Sequence, residues 1–160
     1  MQRDLRRKDR QITTEEAFKL LENAEYGVLS TVNPDGTPYG IPLNFVLDNN
    51  KIYFHCASVG KKLDNIAGNN NVSFVVVGFT EPVAEEQSYS SYYESAFVSG
   101  KANIIENPEE KRSILHILTK KYFPEKMDMF EKSISGGALE RTTVAAIEIE
   151  CITGKAKKKM

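Results

Sequence analysis

The stretch KIYFHCASVGKKLDNI, residues 51–66, is the part of the chain that most restricts its fold. It predicts a strand that breaks at residues 57–60, followed by two lysines and then a helix. A helix N-terminus attracts anions because its first backbone N–H groups are unpaired and carry partial positive charge. Gly60 lets the backbone approach a ligand, and Lys61 and Lys62 add two charges where a phosphate would lie. The stretch therefore predicts a site for a phosphorylated cofactor.

Lys61 and Lys62 also have a structural explanation, as two solvated lysines in the first turn of a helix. Cations at this end oppose the helix dipole, at a cost of about 0.3 kcal/mol or more each. Because the sequence accepts that cost twice, we favour a role in binding an anion.

Length and composition restrict the chain to one globular domain covering residues 1–160. Its 160 residues are 41% hydrophobic and 27% charged, which is ordinary for a protein that buries a core. The net charge of −1 gives the molecule no basic field for nucleic acid. We expect the basic residues near both ends to lie in solvated tails, at 1–11 and 154–160, with a membrane or RNA contact as the less favoured alternative.

No segment predicts a membrane span or a secretory signal. The longest apolar run, residues 74–77, is too short to cross a bilayer, and the N-terminus is polar and charged. Cys56 and Cys151 fall in strand-like segments, where we expect buried thiols and no disulfide framework. These features favour a cytoplasmic location.

The rest of the pattern predicts a mainly β (α+β) protein, an antiparallel sheet or barrel with helices between its strands. Thr13 and Glu16 match a capping box before a short amphipathic helix, and Asn107 with Pro108 begins a second helix. Turn residues at 33–36 and 48–50 connect strands. The predicted strands cover residues 26–32, 38–47, 51–57, 72–79, 92–105 and 142–152.

Three details of these segments give further predictions. Pro42 lacks an N–H, which places it at a sheet edge or a bulge. Residues 72–79 are almost entirely apolar, as is typical of a central strand. The polar residues 80–91 predict a long loop, and such loops tend to be functional or mobile.

The residues predict neither a metal site nor a hydrolytic site. His55, Cys56, His116 and Cys151 show no metal-ligand spacing, and no GxSxG, GxGxxG or Walker motif is present. A Cys56–His55 pair is disfavoured because adjacent side chains of a strand point to opposite faces.

Alternation along the strand at 51–57 separates its side chains into two sets. Tyr53, His55 and Ala57 share one face, and the other face belongs to the residues between them. One face should pack in the core while the other lines a cleft. His55 could be a structural histidine at a strand end, but its position directly before the predicted phosphate site favours contact with a ligand.

Other polar residues give weaker predictions. Asn44, the one amide in the apolar run 41–47, must find a backbone or ligand partner. Ser30 and Thr31 are adjacent hydroxyls in a strand, where ordinary strand residues would look the same. His116 lies among apolar residues of a helix, where a structural role is favoured.

An ordered set of segments resembles the pyridoxamine-phosphate-oxidase-like flavin proteins, which have a split β-barrel fold. Within them the chain is most similar to the nitroimidazole-resistance (Nim-type) branch. The resemblance covers nearly the whole chain in the family's order. Its segments are RRKDR at 6–10, YGVLSTVNPDGTPYGIPLNF at 26–45, IYFHCASVGKKLDNI at 52–66, ESAFVSGKANII at 94–105 and AAIEIECITGKA at 145–156.

The resemblance implies a homodimer that binds FMN between its subunits. It implies that Lys61 and Lys62 clamp the phosphate and that His55, the candidate catalytic residue, lies near the flavin. It also implies that Glu94 and Ser95 approach the ring edge from the partner subunit. The other cofactor-binding residues that it implies are Leu29, Ser30, Thr31, Pro42, Leu43, Asn44 and Ala57.

One departure from the superfamily concerns the substrate. Its longer oxidases carry an arginine-rich site for the substrate phosphate and a C-terminal arginine segment. This chain has Gly154-Lys155 and further lysines there, which argues against pyridoxamine phosphate as substrate.

A flavin needs a phosphate clamp, an apolar wall and hydrogen bonds to its pyrimidine edge. Leu29, Leu43 and the partner aromatics Tyr92 or Tyr93 could supply the wall. Because hydride or electron transfer belongs to the cofactor, the lack of an evident acid–base pair is expected.

Three functions stay open at this point. The first is an FMN-dependent reductase of a small nitroaromatic or quinone-like acceptor, with His55 near the substrate face of the ring. The second is a protein that stores or senses FMN without turnover. The third is a split barrel that binds a deazaflavin, or heme with His55 or His116 as axial ligand.

Overall fold

The structure is a computed structural model that describes residues 5–159, apart from the side chain of Glu85. Seven antiparallel strands form one sheet in the order β2-β1-β5-β6-β7-β4-β3. The strands are β1 (Gly27–Val32), β2 (Pro38–Leu43), β3 (Val46–Asp48), β4 (Lys51–Ala57), β5 (Asn71–Glu85), β6 (Ser88–Ile104) and β7 (Thr142–Lys157). The helices are α1 (Thr14–Asn23), α2 (Lys61–Gly68), α3 (Pro108–Tyr122), α4 (Asp128–Ser133) and α5 (Leu139–Arg141).

Short irregular turns complete the chain. Single 3₁₀ turns cover Lys8–Arg10 and Pro124–Lys126, and a π-helical turn at Ile134–Ala138 joins α4 to α5. None of the helices between residues 5 and 159 is long and apolar enough to cross a membrane.

The sheet curls into a split barrel because its two edge strands are joined by two residues. β2 and β3 lie at opposite ends of the strand order, yet only Asn44 and Phe45 separate them. Three Cα–Cα steps span at most about 11 Å, so the two edges must approach each other. The prediction of one strand over 38–47 is therefore wrong. Its first half pairs with β1 and its last residues pair with β4, and an apolar run gives no indication of that change of partner.

The barrel interior holds the main hydrophobic core. Phe45 and Phe74 pack edge to face with ring centroids 4.8 Å apart, and Phe54 is fully buried beside them. Helix α1 covers the barrel with Ala17 and Leu21. Burial of such side chains contributes about 1.5–3 kcal/mol each, which fixes the strands that carry the candidate site.

A second apolar cluster lies outside the barrel, between the sheet and α3. Tyr53 of β4 packs there with Leu118 and Phe130, while the next residue, Phe54, faces the barrel interior. The expectation that one face of β4 is core and the other a cleft is therefore wrong at Tyr53. On the same face, His55 and Ala57 are exposed, as that expectation requires.

Several local predictions are confirmed. The capping box of α1 is complete, with Thr13 and Glu16 bonding each other's backbone N–H groups. Asn107 caps α3 by accepting from the Glu110 N–H. β5 lies between β1 and β6, and Pro42 lies in the edge strand β2. Cys56 and Cys151 lie in strands as expected, but both are half-buried and not buried.

Two segments are more ordered than the sequence predicts. The predicted loop at 80–91 is a β-hairpin, paired from Phe79↔Glu94 to Glu85↔Ser88. The segment is polar because the hairpin is exposed to solvent, although its two strands are fully paired. β7 likewise continues to Lys157, and Gln11 bridges to Lys155, so the predicted tails at 1–11 and 154–160 are too long. Residues 1–4 and 160 of those tails lie outside the described residues.

Candidate functional site

The start of α2 has the geometry of an open helix N-terminus. Gly60 precedes the helix with φ 144° and ψ 158°, a conformation that side-chain-bearing residues rarely adopt. The N–H groups of Leu63 and Asp64 return to the Gly60 carbonyl at 2.8 and 3.3 Å. No side chain caps the helix, so its first N–H groups are available to an external acceptor.

Lys61 and Lys62 place two charges at this helix start. The Lys61 ammonium lies over the Tyr39 ring, 5.0 Å from its centroid. No carboxylate among the described side chains lies at ion-pair distance from either lysine. Neither ammonium therefore forms an ion pair with a described carboxylate.

The surrounding pKa shifts are consistent with these positive charges. Hydrogen bonds from Thr37 hold the pKa of Asp35 below its ordinary value, and Lys61 adds a smaller effect in the same direction. Burial raises the pKa of the Cys56 thiol, and Lys62 partly opposes that rise.

A buried amide fixes α2 against the barrel. Asn65 is 2% exposed, and its Nδ2 donates to Thr31 Oγ1 and Asn33 Oδ1 at 2.9 Å each. Thr31 Oγ1 in turn donates to the Tyr39 carbonyl at 3.4 Å. The Thr31 side chain is therefore occupied by structural bonds. Sequence reasoning missed Asn65, whose only indication was an amide beside the buried Ile66 in an amphipathic helix.

A cavity of about 780 Å³ lies between the end of β4 and helices α3 and α4. Two predicted site residues, Asn44 and His55, line it. Its volume falls within the range of ligand pockets, roughly 300–1,000 Å³. The lining residues are Asn44, His55, Leu115, Leu118, Thr119, Tyr122, Phe123, Lys126, Met129, Phe130, Ser133, Ile134, Ala138 and Thr142.

His55 has no hydrogen-bond partner among the residues that the structure describes. The apolar surroundings lower the pKa of His55 below its ordinary value by desolvation. Its ring is therefore neutral at pH 7, with one nitrogen able to donate and the other able to accept.

A hydrogen-bonded cluster, here called the crossover network, holds the two-residue link between β2 and β3. The Lys121 ammonium donates to the carbonyls of Ala24 and Phe45 at 2.9 and 3.1 Å, and it lies 4.3 Å from the Phe45 ring centroid. The Tyr122 hydroxyl accepts from the Phe45 N–H at 2.9 Å. That hydroxyl lies 2.7 Å from the carbonyls of both Glu25 and Phe45, to one of which its proton is donated. Desolvation lowers the pKa of Lys121.

The Asn44 amide also bonds within the crossover network. Its Nδ2 donates to the Glu25 carbonyl at 3.0 Å, so its partner is backbone. Sequence reasoning missed Lys121 and Tyr122, because a lysine in the last turn of a helix is ordinary.

The other predicted residues divide between the core and the surface. Leu29 is fully buried in the barrel core, so the expectation that its side chain walls a ligand is wrong. Leu43 is partly buried and packs against the same core. Ser30 is half-buried on the outer face of the sheet, and Pro42 and Ala57 are exposed.

Glu94 and Ser95 lie in a different part of the molecule. They pair with residues 155–156 of β7, whereas His55 pairs with Val144. Twelve residues of extended strand measure about 40 Å, so one chain does not bring Glu94 to His55. Glu94 instead lines a separate cavity of about 360 Å³ against α1.

An exposed apolar row crosses the outer face of the sheet. Val28, Val75 and Phe97 lie opposite one another on β1, β5 and β6. Val77 is 57% exposed and Phe97 is 39% exposed. Exposed apolar patches of this kind mark interaction surfaces.

Comparison with known proteins adds independent findings. Residues 13–156 match the family model described as pyridoxamine 5'-phosphate oxidase. No curated protein matches the chain. A solved structure of a candidate 5-nitroimidazole antibiotic resistance protein from Bacteroides thetaiotaomicron is 27% identical, with a TM-score of 0.75 over 91% of this chain and 85% of its own.

Two further solved structures share the fold at lower identity. The flavocytochrome Anf3 from Azotobacter vinelandii is 16% identical, with a TM-score of 0.80 over 98% of this chain and 73% of its own. An FAD and heme binding protein from Mycobacterium smegmatis is 20% identical, with a TM-score of 0.78 over 94% of this chain and 74% of its own. These likenesses confirm the predicted split barrel.

Proposed function

The chain belongs to the pyridoxamine 5'-phosphate oxidase family, and we propose that it is an FMN-dependent oxidoreductase that reduces small aromatic or nitro-type acceptors. The observation that carries the proposal is the start of α2. There Lys61 and Lys62, without carboxylate partners, flank an uncapped helix N-terminus. Such a site favours an anion, and His55 and a ligand-sized cavity lie at the adjoining end of β4.

The residues at this site fit the phosphate end of FMN. Two ammonium groups and free backbone N–H groups are the donors that phosphate oxygens accept. Gly60 leaves open space where a Cβ would be, so a phosphate can approach the backbone. FMN, when bound, supplies hydride or electron transfer. The protein then has to bind, orient and shield the acceptor, which explains the lack of a paired acid and base.

His55 is the candidate catalytic residue within this proposal. Its neutral ring lines the cavity with both nitrogens available. From that position it can donate a hydrogen bond to an oxygen of an acceptor molecule. The apolar side chains around it partly shield the ring from water and strengthen such a bond.

We also propose that the active species is a homodimer. The separation of Glu94 and Ser95 from His55 supports this, because they can approach the cofactor only from a second copy. The apolar row of Val28, Val75 and Phe97 offers a surface that a second subunit would cover.

Titration with FMN tests the proposal. Purified protein is mixed with FMN and passed through gel filtration, and its visible absorption spectrum is recorded. Two flavin bands that stay with the protein at the mass of a dimer are expected. NADH or NADPH oxidation with nitroaromatic and quinone acceptors is then compared with free FMN. Retained flavin with no rate above free FMN would overturn the enzyme proposal and support storage or sensing.

A second candidate is heme binding, and one observation favours it. His55 is neutral, unpaired and placed in an apolar cavity of about 780 Å³, as an axial ligand would be. The flavocytochrome and the FAD and heme binding protein carry such cofactors by name. His116 is a weaker ligand, since it packs at 5.1 Å on the Phe130 ring outside this cavity. A heme absorption band lost in His55→Ala would support this candidate.

A deazaflavin is the remaining alternative, since an F420 reductase has the same fold at 21% identity, with a TM-score of 0.58 over 84% of this chain. Retention of a deazaflavin but not FMN in the same gel-filtration experiment would favour it.

A further inference from the structure

We propose that the cavity between β4, α3 and α4, here called the α3–α4 cavity, binds the electron acceptor and selects planar aromatic molecules that are neutral or anionic. This inference rests on the proposed function, because it assigns the acceptor to a defined part of the same site. It adds residues of α3, α4 and the turn between them, which neither the sequence nor the family resemblance indicated.

The first argument is the distribution of apolar side chains around the cavity. Its floor is formed by buried Leu118 and Phe130. Its rim carries Phe123 and Met129, which are 60% and 57% exposed. Large exposed apolar side chains at a cavity rim are costly in water, and a flat apolar occupant would cover them. Aromatic and thioether side chains also contact aromatic ligands favourably.

The second argument is hydrogen bonding. His55 is an unpaired polar side chain at the β4 end of the cavity. Thr119, by contrast, already donates its hydroxyl to the Leu115 carbonyl at 2.8 Å. At the end of the cavity that adjoins the proposed flavin site, the His55 ring can donate a hydrogen bond to an acceptor. A nitro or quinone oxygen is a suitable partner.

The third argument is charge. Of the described residues that line the cavity, Lys126 alone is charged. None of the neighbouring acidic residues Glu125, Asp128 and Glu131 lines the cavity, and Glu131 is held by Arg112 at 2.5 and 2.6 Å. The C-terminal end of α3 contributes only about half a negative charge, less than the full positive charge of Lys126. A cationic molecule therefore finds no counter-charge here.

The chain contains no tryptophan, which allows a direct binding test in flavin-free protein. Phe123→Trp places a single fluorophore at the cavity rim. Tyr89→Trp, at a hairpin position that is 94% exposed, is the matched control. The probes are 4-nitrobenzyl alcohol, 4-nitrobenzoate and 4-nitrobenzylamine, which are neutral, anionic and cationic at pH 7 and which all quench tryptophan.

Saturable quenching of the Phe123→Trp variant by the neutral and anionic probes is expected, with only linear collisional quenching of the control. Lys126→Glu in the Phe123→Trp background should weaken 4-nitrobenzoate and strengthen 4-nitrobenzylamine, each by at least about threefold. Lys132→Glu changes the net charge equally on an exposed residue outside the cavity and should have little effect. Linear, equal quenching of both tryptophan variants would overturn the assignment, as would equal effects of the two charge reversals.

The FMN titration separates this inference from the proposed function. Retained FMN and turnover, without saturable quenching of the Phe123→Trp variant, overturn the cavity assignment alone. Saturable quenching in a protein that retains no FMN overturns the oxidoreductase proposal and the acceptor role with it.

Discussion

Lysines at opposite ends of two helices serve opposite purposes in this molecule. The ammonium of Lys121, in the last turn of α3, donates hydrogen bonds to two backbone carbonyls and packs on aromatic rings. Lys61 and Lys62, in the first turn of α2, have no such carbonyl or carboxylate partners among the described residues. The same side chain is thus used for structure in one place and left available in the other.

A ligand-binding cation can be recognised from where it lies on its helix and whether it is paired. A lysine in a last turn is stabilised by the helix dipole, whereas one in a first turn is destabilised. A cation that the protein leaves unpaired where the dipole opposes it is better evidence of a bound anion than a count of basic residues. This interpretation predicts that removing Lys61 and Lys62 weakens ligand binding, whereas removing Lys121 lowers the stability of the fold.

The largest expected effect is on FMN affinity at the α2 end. Lys61→Ala with Lys62→Ala should weaken FMN binding by at least about 2 kcal/mol, about thirtyfold in Kd, since each charge-assisted bond contributes roughly 1.5–3 kcal/mol. Unfolding free energy should be unchanged or slightly higher. Fluorescence titration of FMN and urea denaturation measure the two quantities. The control is Lys120→Ala with Lys132→Ala, which removes two exposed lysines elsewhere. Equal FMN affinity in both double variants would show that Lys61 and Lys62 do not bind the phosphate.

The opposite result is expected at the α3 end. Lys121→Met keeps the apolar stem but leaves two carbonyls without a donor, and should lower the unfolding free energy by about 1–3 kcal/mol. FMN affinity of the folded protein should change little. Urea denaturation compares it with Lys120→Met, an exposed neighbour on the same helix. A stability equal to that control would show that the crossover network contributes nothing.

The same contrast explains what the sequence could predict. The strand–glycine–lysine–helix order at 51–66 is local, so the α2 start and its neighbour His55 were predictable. The capping box at Thr13 and the turn at 48–50 are equally local, and the structure has both. The split of residues 38–47 between two sheet edges was not predictable, because pairing partners are set by the curvature of the whole sheet.

The missed residues all act over long distances in sequence. Lys121 bonds a carbonyl 97 residues away, and Asn65 bonds a hydroxyl 34 residues away. No local pattern distinguishes these two from solvated polar residues. The burial of Leu29 was likewise hidden, because a strand of alternating faces does not say which face meets the ligand.

Asn65 has a purely structural role beside the lysines, because it holds α2 against the barrel through Thr31 and Asn33. Asn65→Ala should cost about 1 kcal/mol of unfolding free energy through its lost bond to Thr31. Thr31→Val removes the same bond from the other side. If the bond is the cause, the double variant should be less destabilised than the sum of the two single variants. Additive losses in urea denaturation would contradict this.

The smallest expected effect concerns His55, which lies between the two regions. Desolvation lowers the pKa of His55 in the folded protein below its ordinary value of 6.5. The unfolded chain therefore binds a proton at this residue more readily than the folded chain does. The contribution of neutral His55 to stability is fully present above pH 6.5. Stability should fall as the pH drops through 6.5 toward the folded-state pKa. His55→Gln, which cannot titrate, should show a shallower decline between about pH 7 and 5. The ring is partly exposed, so the difference will be small and is best measured as the change in midpoint urea concentration with pH.

Parallel pH profiles for the parent and His55→Gln would mean that the ring is solvated in the folded protein. The cavity would then offer an acceptor no dry hydrogen-bond donor, and the contrast between a ligand-facing and a structural half of the site would rest on the lysines alone.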